Sequence, residues 1–128
     1  MSLHVQTSPG EFLDKLTILE IKSERIQDPA KLANVRRELD LLRGLWRESP
    51  LSARDVSAVV ERLKQVNEAL WEIEDRIRDK EAARAFDSEF IELARSVYIT
   101  NDRRASLKRE LNLALGSDLI EEKSYKAY

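Results

Sequence analysis

The sequence predicts an all-α, single-domain antiparallel bundle of four main helices, and three observations carry that expectation. Apolar residues recur at spacings of three, four and seven along most of the chain, which is the period of helices and not of strands. Only three Gly and three Pro occur in 128 residues, with 36% charged and 42% hydrophobic residues, the profile of a helical protein rather than a disordered or β-rich one. Helix-start chemistry also falls between the periodic segments, at Ser8-Pro9, Asp28-Pro29, Ser52 and Asp87, where side-chain oxygens or a first-position proline suit the opening turn. A chain of this length can bury a core without metal or disulfide support.

Met1 to Thr7 mixes polar and apolar residues, suits an extended segment, and holds the single histidine, His4, without a partner at ligand spacing. Helix 1, about 9–27, starts with Ser8 as N-cap, Pro9 at the first helical position and Glu11 completing a capping box. Phe12, Leu16, Leu19 and Ile26 share one face and Ile18 and Ile21 the opposite one. A helix apolar on two sides is buried on two sides, so helix 1 is expected at the centre. Glu20 lies at the edge of the Phe12/Leu16/Leu19 face and is the acid expected to meet Arg104 or Lys108 of the last helix, whereas Asp14 lies beside Ile18 and Ile21.

Asp28-Pro29 separates helix 1 from helix 2, about 30–48, which places Leu32, Val35, Leu39, Leu42 and Trp46 on one face. Ser49 to Ser52 is the turn, with Ser52 capping helix 3, about 52–82, and Asp55 supplying an acid to its first turn. Helix 3 is the most regular segment. Val56, Leu63, Leu70 and Ile77 occupy one heptad position and Val59, Val66 and Ile73 the other, a coiled-coil-like seam on a helix ~45 Å long. Such length invites a homodimer. Beside the seam runs a column of Val60, Asn67, Trp71, Glu74 and Arg78. It reads either as a helix edge with a packed tryptophan and solvated polar groups, or as one wall of a pocket.

Helix 4, about 87–115, is capped by Asp87, with Phe86 and Ile91 at the two positions of a hydrophobic staple, and Gly116 stops it. At about 100° per residue, Phe86, Phe90, Leu93, Val97, Leu111 and Leu115 fall on one face, with Arg104 and Lys108 in its middle. Asn101 and Asn112 flank that face. The tail, residues 117–128, has too little apolar content to fold alone, although Leu119, Ile120, Tyr125 and Tyr128 could pack across the bundle or onto a second subunit.

The runs SPGEFLDKLTILEIKSERI, VNEALWEIEDRIR, FIELARSVYITNDRRASLKRELN and GSDLIEEKSY resemble those of a bacterial family of small helical proteins of unknown function. Together they cover nearly the whole chain. The resemblance implies a bacterial, cytoplasmic setting and an independently folding unit, attached in some relatives to other modules. It brings no activity and no catalytic residues.

Several chemistries are excluded or weakened. The net charge is −2 with both signs interspersed, whereas nucleic-acid or anionic-membrane binding needs a basic face. No apolar run long enough for a signal peptide or a membrane span occurs. The chain has no cysteine, so it offers no disulfide, thiolate metal site or cysteine nucleophile. Three glycines leave no material for a phosphate loop, and one histidine near the terminus makes no Ser/His/Asp triad. Glu72-x-x-Asp75 and Glu89-x-x-Glu92 invite comparison with Mg²⁺-dependent all-α nucleoside-triphosphate pyrophosphohydrolases. Both pairs point away from the apolar faces of their helices, as solvated acids do. No metal and no cofactor is expected.

Arg104 and Lys108 remain. A cation on a core face must find an acid, reach water or face a wet cavity. One reading pairs them with Glu20, Glu24 or Glu74 as structural ion pairs. The other is a ligand pocket for a small anion, with Arg104 as a bidentate fork and Lys108 as a point charge on a carboxylate or phosphate. Asn101 and Asn112 would orient the ligand, with Glu20, Glu74 and Asn67 around the same pocket. Buried Arg and Lys grip a dicarboxylate in helical chorismate mutases, an analogy of mechanism without a matching residue pattern. A homodimeric scaffold or adaptor acting through helix 3 and the tail is the alternative from a different class.

Overall fold

Ser8 begins the first helix as its chemistry requires: extended backbone, with its hydroxyl accepting the Glu11 N–H at 3.1 Å. In the computed structural model, which describes residues 1–119 and 121–128, the chain forms α1 (Pro9–Arg25), α2 (Pro29–Glu48), a 3₁₀ turn (Pro50–Ala53), α3 (Ser57–Ala82) and α4 (Ser88–Ala114). The described residues contain no strand. The fold is the expected all-α bundle, running up, down, up and down.

Its layout is not a square of four equal helices. α1 packs against α2, α3 and α4, whereas among the described residues α2 packs against α1 and the 3₁₀ turn only. The core is therefore a three-helix arrangement of α1, α3 and α4, with α2 laid on the remaining side of α1. Leu13, Leu16 and Leu19 of α1 join Leu39 of α2, Leu63 of α3 and Leu107, Leu111 and Leu115 of α4 in one cluster. The two-sided pattern of α1 has this cause. Of the apolar face of α2, Leu39 is buried and Leu32, Val35, Leu42 and Trp46 are half-buried, while Leu41 and Leu45, off that face, are exposed.

Two helix starts differ in an instructive way. Asp87 caps α4 as expected, accepting the Phe90 N–H at 3.0 Å. α3 begins at Ser57 and not at Ser52. Ser49-Pro50 is a competing start, because Ser49 accepts the Leu51 N–H at 3.2 Å and opens the 3₁₀ turn, and the Ser52 hydroxyl is then spent donating to the Ser49 carbonyl at 2.7 Å. Asp55 accepts both the N–H and the hydroxyl of Ser57 instead.

α3 and α4 end in the same hydrogen-bonded motif, built on different residues. After α4, Gly116 takes φ 66° while Gly116 and Ser117 N–H groups donate back to Leu113 and Asn112 carbonyls. After α3, Arg84 takes φ 52°, with the Arg84 and Ala85 N–H groups donating to Glu81 and Lys80. Glycine enters that left-handed conformation freely and arginine does not.

α4 is unbroken through Thr100-Asn101-Asp102, and Thr100 is buried. The heptad seam of α3 is used inside the chain: Leu63 is buried in the same cluster as Leu107 and Leu111, with Val56, Val59 and Val66 packed against it. At the start of α4, Phe86 meets Phe90 edge-on with centroids 5.2 Å apart, and Phe86 and Ile91, the expected staple pair, are both exposed. The tail is irregular and lies back along α4, Tyr128 donating to Asp102 at 2.6 Å and its ring lying 5.0 Å from that of Tyr98. Tyr125 is exposed; Ile120, also expected to pack, lies outside the described residues.

Candidate functional site

α1 and α4 run antiparallel, so residues 10, 11 and 14 meet 112, 108 and 104 in turn. That register lays a polar column through the core. At its centre is Asp14, 1% exposed, with Thr17 at 0% and Asn67 at 5%. Arg104 grips Asp14 side-on, Nε donating to Oδ1 at 2.9 Å and Nη2 to Oδ2 at 2.6 Å. Asn67 Nδ2 donates to Asp14 Oδ1 and to Thr17 Oγ1, both at 2.9 Å, and the Thr17 hydroxyl donates to the Asp14 carbonyl at 2.8 Å.

The network also fixes what is left over. A carboxylate only accepts, and the Thr17 proton is already placed, so the Asn67 amide must turn its NH₂ to both groups. Its Oδ1 accepts no hydrogen bond from a described residue. The side-on grip likewise leaves Arg104 Nη1 without a partner among the described residues. Both side chains line an open, surface-facing cavity of about 400 Å³, bordered by Ile18, Ile21, Leu70 and Trp71 and by Glu74, Asp75 and Arg78. The hydrogen bonds to Asp14 hold the Arg104 guanidinium further toward its charged form than usual, against the opposing effect of burial.

One to two turns along, Lys108 and Asn112 form a separate cluster. The Gly10 N–H donates to Asn112 Oδ1 at 2.7 Å, and a side chain at Gly10 would collide with the Lys108 carbonyl oxygen and the Asn112 amide. Glycine is needed here for close approach, not for its backbone angles. Lys108, itself buried, places Nζ 2.7 Å from Glu11 and 2.9 Å from Glu121 of the tail. Burial depresses its proton affinity, and the two carboxylates more than reverse this, leaving Lys108 above its ordinary range. Glu121 is held below its own by Lys108.

Of the residues expected around one pocket, Arg104, Asn67 and Glu74 line the same cavity. Lys108 and Asn112 belong to the second cluster, and Asn101 is half-buried outside that cavity. Glu20 does not meet Arg104 or Lys108; it faces Lys64 at 3.4 Å and Arg43 at 3.8 Å. The acid is Asp14, because Phe12 stacks on Trp46 of α2 and thereby turns the Asp14 side of α1 toward α4. The missed signal was a polar and small stripe, Gly10, Asp14 and Thr17, at spacings of four and three on an otherwise apolar helix.

Three of the four acids compared with metal ligands are engaged with cations, Glu72 with Arg25, Glu89 with Arg76 and Lys80, and Glu92 with Arg95, while Asp75 lies at the Arg104 cavity. Among the described residues no group of three His, Cys, Asp or Glu side chains converges on a metal-sized point, and no helix is long and apolar enough to cross a membrane.

Fold and site together define an all-α protein with an ion-paired, hydrogen-bonded centre between three of its helices. The chain belongs to a family of unknown function, DUF6165, whose model matches residues 3–128. No curated protein and no solved structure matches it.

Proposed function

We propose that this protein is a binding module for a small carboxylate-bearing molecule, held in the cavity between α1, α3 and α4 with Arg104 at its floor. One observation carries the reading. Asp14, itself held by Asn67, grips the guanidinium through Nε and Nη2, while Nη1 is left without a partner among the described residues and Arg104 lines a cavity with apolar walls. Such a group is pre-oriented, so little rotamer entropy is lost when it receives a carboxylate. Lys108 serves a different purpose, tying the start of α1 and the tail to α4. The test is thermal unfolding of wild type and Arg104→Lys with a panel of carboxylic acids. A ligand that raises the wild-type midpoint and not that of the variant supports the site; equal shifts in both place binding elsewhere.

A second reading, self-association, is favoured by the far end of the α3–α4 hairpin. Past the end of α1, where Arg25 reaches Glu72 at 3.3 Å, Ile73 and Ile77 are only half-buried and Phe86 and Ile91 are exposed. The accessible surface, 9240 Å², exceeds the roughly 7,000 Å² of a compact monomer of this mass. A second copy laid antiparallel on this arm would complete four helices. Sedimentation equilibrium of wild type and Ile91→Lys checks it: a dimer that the substitution dissociates supports the arm as the interface.

A further inference from the structure

The charges around the Arg104 cavity do not suit a simple anion. Arg104 and Arg78 supply two cations, whereas Glu74, Asp75 and Asp14, directly behind Arg104, supply three carboxylates. A phosphate or dicarboxylate would bring like charge to a lining already negative on balance. The unspent hydrogen-bonding groups have the opposite lesson to an anion hole as well, since one is a donor, Arg104 Nη1, and one an acceptor, Asn67 Oδ1. Glu74 also stays available, because its contact with Arg78 is 3.6 Å, beyond a good hydrogen bond.

Building on the carboxylate reading above, we infer that the ligand is a zwitterion of the α-amino-acid type. Its carboxylate lies on Arg104 Nη1. Its ammonium lies between Asn67 Oδ1 and the Glu74 and Asp75 carboxylates, within reach of the Trp71 face, which attracts cations. Its side chain lies against Ile18 and Leu70. Each end of such a molecule meets an opposite charge, and each unspent polar group of the floor gains a partner. The volume is in the range of small-ligand sites.

The test uses the full chain and calorimetric titration with matched sets: phenylalanine, 3-phenylpropionate and phenethylamine, then leucine, 4-methylpentanoate and isopentylamine. The amino acid of at least one set should bind at least tenfold more tightly than both of its analogues. The double variant Glu74→Gln/Asp75→Asn should lose the preference over the carboxylate while still binding that carboxylate. A carboxylate that binds as tightly as its amino acid, in a manner abolished by Arg104→Lys, overturns the zwitterion and leaves the carboxylate site standing. An amine that binds as tightly as its amino acid and ignores Arg104→Lys overturns both, as does the absence of binding by every compound.

Discussion

Two regions of this molecule use the same residue types for opposite ends. Between α1, α3 and α4, Asp14, Asn67, Thr17 and Arg104 bring an ion pair and three further hydrogen bonds into the buried centre. At the tip of the α3–α4 hairpin, a half-buried Lys80 pairs with Asp87 at 3.0 Å and Glu89 at 3.1 Å, and Arg76 with Glu89 at 2.9 Å, both acids and Arg76 being exposed. Distances hardly separate them. Surroundings do: exposed pairs gain little because water screens both partners and side-chain entropy opposes them, whereas a buried carboxylate that loses its partner has no water to replace it. An arrangement that costs desolvation at the centre is a better pointer to function than a denser network at the surface.

The sharpest way to break this comparison is Arg104→Met, which strands Asp14 in the core and should destabilise the fold by about 3–5 kcal/mol, read by urea unfolding. Asp14→Leu should cost less, since the partly exposed Arg104 can turn to water. Next comes Gly10→Ala, which drives a methyl group into the Lys108 carbonyl and should cost about 1–3 kcal/mol, with the loss measured in the same way. At the tip of the hairpin, Arg84→Gly relieves a left-handed arginine and should stabilise by about 1 kcal/mol. Glu89→Gln, in the exposed network, should move the unfolding midpoint least of all in neutral buffer.

pH dependence sharpens the same contrast at the Lys108 cluster. Glu121 is depressed, so its contribution is present above the ordinary glutamate range and is lost as pH falls through its lowered value. Lys108 is raised, so its contribution persists below the ordinary lysine range and is lost as pH rises through its elevated value. Acid titration of unfolding should show a shallower limb in Glu121→Gln than in the wild type, the variant being the less stable at neutral pH and the two converging as pH falls through the lowered value of Glu121.

How much of this was legible in the sequence follows from how local each cause is. Ser8, Asp28 and Asp87 act on N–H groups three residues away, and the central place of α1 is written in its own two-sided periodicity, so these could be read directly. The face of α1 that meets α4 could not, because a helical wheel orders residues around one axis without saying which neighbour lies where. Asp14 was missed and Glu20 chosen for that reason. Likewise the α3 seam was plain, but a heptad pattern looks the same whether its partner is α4 or a second chain. Ser52 failed because Ser49-Pro50 offered an equally local and earlier start. Arg104 and Asn67 were singled out because polar groups interrupt apolar stripes there, a signal that survives ignorance of the partner.

The most direct test of the central claim replaces the buried polar centre with hydrocarbon, in the triple variant Asp14→Leu/Asn67→Leu/Arg104→Met. Thermal unfolding of this variant and the wild type is then followed with and without the amino acids and carboxylates above. If the centre exists to hold a ligand, the variant melts at or above the wild-type midpoint, as hydrophobic replacement of buried ion pairs often allows, and only the wild type is shifted by a ligand. A variant that melts well below the wild type, with no compound shifting either protein, would mean that the ion pair is there to hold the fold.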